Sequence, residues 1–178
     1  VGSEMCIRDR DNVIQKMDDK QWNAILECHL TAPFKILRAA QPHIKRLFLE
    51  DKEDGITNFR KVVNISSTSG MFGNAGQINY ATAKAGVVGM AKTMAKEWGR
   101  YNVNVNAVGF GLIKTRLTDA DAEKEESLIN IEGNKIKVGV NSAVFQSAKT
   151  MIPLGRPGTP QEAAGAIYMF CIPESNYV

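Results

Sequence analysis

Trp22, Ile25, Leu26, Leu30, Phe34, Ile36 and Leu37 recur at the spacing of one helical face. The periodicity predicts a long helix over residues 21–50, with Asp18 or Asp19 as its N-cap. Pro33 falls inside that pattern and has no N–H for the preceding turn, so a kink is expected nearby. Residues 50–60, EDKEDGITNFR, are polar and read as a loop. Lys61 to Ser66 follows as a nearly continuous apolar and β-branched run, the pattern of a parallel strand covered on both faces. A glycine-punctuated loop, STSGMFGNAGQIN, leads into an amphipathic helix over residues 80–101. Its apolar side carries Ala83, Val87, Val88, Met90, Ala91, Met94, Ala95 and Trp98. Small residues at Ala81, Ala83, Ala85, Gly86 and Gly89 permit close approach by a neighbouring helix. Val103 to Val108 alternates as a second strand, and two alternating runs within residues 127–141 flank Gly133-Asn134 as a hairpin would. Thr159 and Pro160 cap and open a last helix over residues 161–172.

Composition narrows the choice of partners. A chain of 178 residues is long enough for one domain with a real core. The net charge of +3 is mild and no basic run is interleaved with aromatics, which argues against nucleic acid. No apolar run approaches the ~20 residues that span a bilayer, so no membrane partner is expected. Cys6, Cys28 and Cys171 are scattered and odd in number. They suit a reducing compartment, the cytoplasm or an organelle matrix, rather than a disulfide framework. Cys28 beside His29 lacks metal-ligand spacing, and no metal is expected. Residues 1–10, VGSEMCIRDR, fit neither periodicity and read as translated sequencing-adapter sequence. The native part is then residues 11–178, expected to begin upstream of Asp11.

The chemistry centres on Tyr80 and Lys84. Four residues apart on a helix, they share a face with Cβ atoms roughly 5–6 Å apart. A cation beside a phenol favours the phenolate and lowers the tyrosine pKa from about 10, giving a general acid/base near neutrality. Ser67 stands where the first strand ends and can point its hydroxyl at the same spot. A Tyr-x-x-x-Lys pair alone is commonly a helix-surface pair. The preceding strand, the serine at its end and the run GNAGQINYATAKAG change that. Gly70, Gly73 and Gly76 are no dinucleotide fingerprint, because the helix that follows them opens with Tyr80. They read instead as letting the backbone turn close to a substrate. Neither G-x-x-x-G-x-G nor G-x-G-x-x-G occurs elsewhere.

On these residues the chain resembles the short-chain dehydrogenase/reductases, and within them the 3-oxoacyl-[acyl-carrier-protein] reductases of fatty acid metabolism. The resemblance implies an α/β, Rossmann-like doubly wound parallel sheet, incomplete here, with the first strands and the last strand missing. It implies one domain over residues 11–178 with a substrate-dependent segment at 119–150, and a homodimer or homotetramer built on the two long helices. The implied activity is NAD(P)-dependent reduction of a carbonyl, a 3-oxoacyl thioester carried by protein or coenzyme, with NADPH favoured over NAD. Tyr80 would protonate the carbonyl oxygen, Ser67 would hydrogen-bond it, and Lys84 would hold the cofactor ribose. Gly111 fills the glycine of a Pro-Gly turn under the nicotinamide, with Phe110 in place of the proline. Ile113 matches the backbone contact to the carboxamide and Thr115 a contact to amide or phosphate. Gly155-Arg156-Pro157-Gly158-Thr159-Pro160-Gln161-Glu162 matches the family's lead-in to its last helix.

His29 is a departure. It stands where the family has an asparagine that holds a proton-relaying water. An imidazole, half-protonated near neutrality, could relay protons itself, or it could only pack and hydrogen-bond locally. Two other readings stay open. One is an NAD-dependent hydroxyacyl-thioester or alcohol dehydrogenase. The other is a non-catalytic scaffold or dimer partner, motivated by His29, Phe110 and the added hairpin. Lacking the front of the cofactor site, residues 11–178 alone are expected to be inactive.

Overall fold

The computed structural model describes residues 11–115, 128–131, 134–137 and 150–178. Residues 1–10 and most of the 119–150 segment lie outside the described residues. Helix α1 (Asp19–Leu26) is capped as its sequence suggests. The Asp18 carboxylate accepts the Gln21 N–H at 2.7 Å, and the Gln21 side chain accepts the Asp18 N–H at 3.1 Å.

The expected break near Pro33 takes the form of a π-turn, Glu27–Thr31, between α1 and helix α2 (Ala32–Glu53). There the Ala32 N–H donates to the Glu27 carbonyl five residues back. Pro33 has no N–H for the His29 carbonyl four residues before it, so the α-helical ladder is interrupted at that point. Helix α2 tolerates Pro42 inside it and runs to Glu53, past the boundary expected from the polar run. It ends because Gly55 adopts φ 69°, so that the Gly55 N–H reaches Lys52 O at 3.3 Å and the Ile56 N–H reaches Asp51 O at 2.8 Å. The following loop folds back onto the helix. Asn58 Nδ2 and Arg60 Nη2 meet the Asp51 carboxylate at 2.9 and 2.7 Å, and these contacts hold that carboxyl below its usual range.

Strand β1 (Arg60–Ser67) pairs in parallel with β2 (Val103–Phe110), in register from Arg60 opposite Val103 to Ser67 opposite Phe110. The crossover holds a short helix α3 (Thr68–Phe72), within what reads as loop, and helix α4 (Ile78–Trp98), which begins before Tyr80. Gly73 and Gly76, at φ 77° and 85°, make the turn between these helices. Ala91, Met94 and Trp98 of α4 bury themselves on Val103 and Val105 of β2, and Leu37 and Ile44 of α2 pack against this cluster. At roughly 1.5–3 kcal/mol for each large apolar side chain removed from water, this contact anchors the helix to the sheet. The parallel pair with its helical crossover is a unit of a Rossmann-like α/β sheet.

Strands β3 (Leu128–Ile131) and β4 (Asn134–Lys137) form an antiparallel pair inside the predicted hairpin. Asn134 is already in β4, opposite Ile131, rather than in the turn. Helix α5 (Pro160–Tyr168) starts from the Thr159–Glu162 capping box and stops at Tyr168 rather than Ile172. Beyond it the chain returns along β2, where Asn104 and Asn106 donate to the Asn176 and Val178 carbonyls at 3.1 and 3.0 Å.

Candidate active site

Both parallel strands finish at one edge, with Ser66 opposite Gly109 and Ser67 opposite Phe110. In open α/β sheets the ligand crevice lies outside the carboxyl ends of the strands. Ser67, Gly111, Ile113 and Thr115 all lie on segments leaving this edge.

Ser67 is the N-cap of α3, its Oγ accepting the Ser69 N–H at 3.2 Å. Lys84, buried on α4, is fastened to β1 twice. Its Nζ donates to the Ile65 carbonyl at 2.9 Å, and its own carbonyl accepts the Ser66 hydroxyl at 2.8 Å. The chain at Gly70 closes the arrangement. A Cβ there would sit 2.7 Å from Lys84 C and Ala85 N, so α3 lies directly on the turn of α4 that carries Lys84. Gly70 is thus a close-approach glycine between helices, whereas Gly73 and Gly76 supply the turn expected of the trio.

Tyr80 is half-buried one turn before Lys84, whose Nζ lies 5.6 Å from the phenol ring centre. Asn79, fully buried, fixes the start of this helix. Its Nδ2 donates to the Gln21 carbonyl of α1 at 3.2 Å and its Oδ1 accepts the Tyr80 N–H at 2.8 Å. His29, in the π-turn, stands edge-on to Tyr80 with ring centres 5.1 Å apart and planes at 84°. Its Nε2 is buried without a hydrogen-bond partner. Burial, followed by the charge of Lys84, pushes the imidazole down from 6.5 to about 4. At neutral pH the ring is therefore neutral, not half-protonated as its type alone suggests.

Beyond β2, Gly111 is exposed, and a Cβ there would make only ordinary contact with Thr68 Cγ2 at 3.8 Å. Ile113 forms a parallel bridge to Gly158 through its neighbours: the Lys114 N–H donates to Gly158 O at 2.8 Å, and the Gly158 N–H to Leu112 O at 3.0 Å. In that pattern the N–H and carbonyl of Ile113 itself point the other way. A Cβ at Gly158 would lie 2.8 Å from Ile113 Cδ1, the movable tip of that side chain, so the two segments pass closely here. Arg156 holds Glu162 through two bonds of 2.8 and 2.6 Å. That ion pair, with the Thr159 hydrogen bonds, keeps the glutamate down to about 2 and stiffens the segment facing Ile113. Thr115 follows, half-buried.

Three residues of this arrangement escape a reading by motif: Ser66, Gly70 and Asn79. Ser66 and Asn64 share the buried face of β1, and their alternation in an apolar run is the signal that could have exposed them. Asn79 had a weaker signal, a polar side chain directly before Tyr80 at a helix start.

The sequence model of the short chain dehydrogenase family matches residues 6–126, and the chain belongs to that family. Among its relatives is a 3-oxoacyl-[acyl-carrier-protein] reductase of Thermotoga maritima, 34% identical over 169 residues, which are 95% of this chain and 57% of the relative. The peroxisomal hydratase-dehydrogenase-epimerase of Saccharomyces cerevisiae is 37% identical over 110 residues, 62% of this chain and 11% of that protein. The crystal structure of a short chain dehydrogenase from Bacillus anthracis superposes with a TM-score of 0.66 at 28% identity, over 94% of this chain and 56% of that one. The chain thus spans a little over half the length of the reductases it matches.

Proposed function

We propose that the protein carrying this chain reduces a carbonyl, a 3-oxoacyl thioester, to the hydroxy compound with a nicotinamide dinucleotide, NADPH in preference to NAD. The observation that carries this reading is the fastening of Lys84 to β1 immediately before Ser67, with Tyr80 one turn away on the same helix. The similarity to 3-oxoacyl-[acyl-carrier-protein] reductases supports the substrate class.

The residues present fit such a cofactor. The exposed backbone at Gly111, at the carboxyl end of β2, suits the approach of a flat ring, with Ile113 and Thr115 in the same segment. The Lys84 ammonium, held against β1 by the Ile65 carbonyl, is the cation that suits a ribose diol. When bound, the nicotinamide supplies the hydride. Ser67 donates its hydroxyl to the carbonyl oxygen and stabilises the negative charge that develops there. Tyr80 transfers its phenolic proton to that oxygen, and the Lys84 charge stabilises the phenolate left behind.

Replacing Tyr80→Phe in the full-length protein should lower turnover of a short 3-oxoacyl thioester with NADPH by about two orders of magnitude or more. Retention of most of the activity would reject the assignment. A second reading, oxidation of a hydroxyacyl thioester with NAD, draws on the likeness to the yeast hydratase-dehydrogenase-epimerase. Comparing the two cofactors in the same assay separates them.

A second copy of the chain is the expected partner. A groove of about 460 Å³ lies between α2 and α4, lined by Phe34, Leu37, Arg38, Met90, Glu97 and Trp98, among others. Phe34 remains 46% exposed beneath the Arg38 guanidinium, an apolar face suited to the same two helices of another subunit. Among the described residues no helix is long and apolar enough to cross a membrane.

A further inference from the structure

Resting on that reading of the site, we propose that His29 is a positioning residue for Tyr80 that works only as the neutral imidazole. Its protonation would make the site acid-sensitive. Three observations meet here. The imidazole edge rests on the phenol ring, with centres 5.1 Å apart, so the two side chains fix each other's orientation. The Lys84 ammonium, 5.6 Å from the centre of the same phenol ring, flanks it as well. The ring hangs from a π-turn, a widened piece of helix that depends on local hydrogen bonding rather than on a regular ladder.

Charging the imidazole would disturb all three. Its buried Nε2 would need an acceptor, and the structure gives that atom none. The new charge would also face Lys84. On the helices packed against the π-turn, no carboxylate is placed to offset it. Glu27, on the turn itself, is exposed and paired with Lys35 of α2 at 2.6 Å. Helix α1 carries charge only at Asp19 and Lys20, both exposed at its far end. From α4 the facing groups are Tyr80 and Lys84. The burial and the lysine that hold the imidazole at about 4 therefore keep it neutral through the ordinary working range.

The sign of the stability effect follows from the same shift. An unfolded histidine binds a proton near 6.5, whereas the folded one resists until about 4. Stability is thus lost as pH falls across that window. The activity test has to be separated from unfolding.

The experiment uses the full-length protein, its kcat measured from pH 3.5 to 8 with NADPH and a 3-oxoacyl thioester, each initial rate corrected for acid decomposition of NADPH, alongside circular dichroism at each pH. The wild type should show a reversible acid loss of kcat while still folded. His29→Gln, not ionisable but without the ring edge that braces the phenol, should lose that acid limb, with a kcat at pH 7.5 between those of the wild type and His29→Ala. His29→Ala, which removes the support for the phenol, should lower kcat roughly 10- to 100-fold with little change in KM. The same acid limb in His29→Gln, wild-type turnover in His29→Ala, or unfolding of the wild type over the same pH range would each overturn the proposal. If His29→Ala is silent while Tyr80→Phe is inactive, only the role of His29 fails. An active Tyr80→Phe removes the functional reading beneath it.

Discussion

At the scale of single residues, the candidate site depends as much on a missing side chain as on the polar ones it brings together. Gly70 lets α3 rest on the backbone of α4 at Lys84, and the atoms a Cβ would strike are backbone and cannot swing aside. Gly70→Ala should therefore push the helices apart, cost about 1–3 kcal/mol by overpacking, and lower kcat by shifting Ser67 relative to Lys84. Thermal unfolding and turnover measured on the same preparation check both parts. The position of Ser67 at a strand end and of Tyr80 one helical turn before Lys84 is legible in sequence because such spacing is a local property. Gly70, Ser66 and Asn79 are not, because each is defined by a partner far along the chain: Lys84 for the first two, Gln21 for the third. His29 was visible by position, but its charge state was not. Burial and Lys84 set that, and neither can be read from a histidine and its neighbours.

At the scale of elements, period and punctuation locate both long helices and both parallel strands, and the boundaries drift where other forces act. Helix α2 outruns its apolar pattern because the Gly55 turn, rather than a change in polarity, ends it. The run after Ser67 looks like a loop from its glycines, yet Ser67 caps a short helix there whose Gly70 is needed for contact rather than for a turn. Pro33 announces a break without saying what kind. The π-turn is the response of a helix that must continue beyond a residue with no N–H, and it is this widening that carries His29 to the Tyr80 ring. Asn134 shows the limit of turn signals, since it enters β4 by pairing with Ile131.

At the scale of the whole molecule, the parallel register gathers the ends of β1 and β2 at one edge, and α4 and the π-turn bring Tyr80, Lys84 and His29 together above β1. On the outer side, α2 and α4 leave the groove around Phe34 and Trp98. If a second copy covers it, Phe34→Glu should shift the full-length protein toward monomer in sedimentation equilibrium while leaving its secondary structure intact.

The claim underlying all of this is that Ser67, Tyr80 and Lys84 act on one carbonyl as a unit. Its most direct test is the kcat/KM of Ser67→Ala, Tyr80→Phe and the double variant, read as a double-mutant cycle. Groups that work on the same oxygen give a double variant little worse than Tyr80→Phe alone, so that the two losses fail to add. Two fully additive losses, or a single variant with unchanged turnover, would mean that these side chains serve no common step.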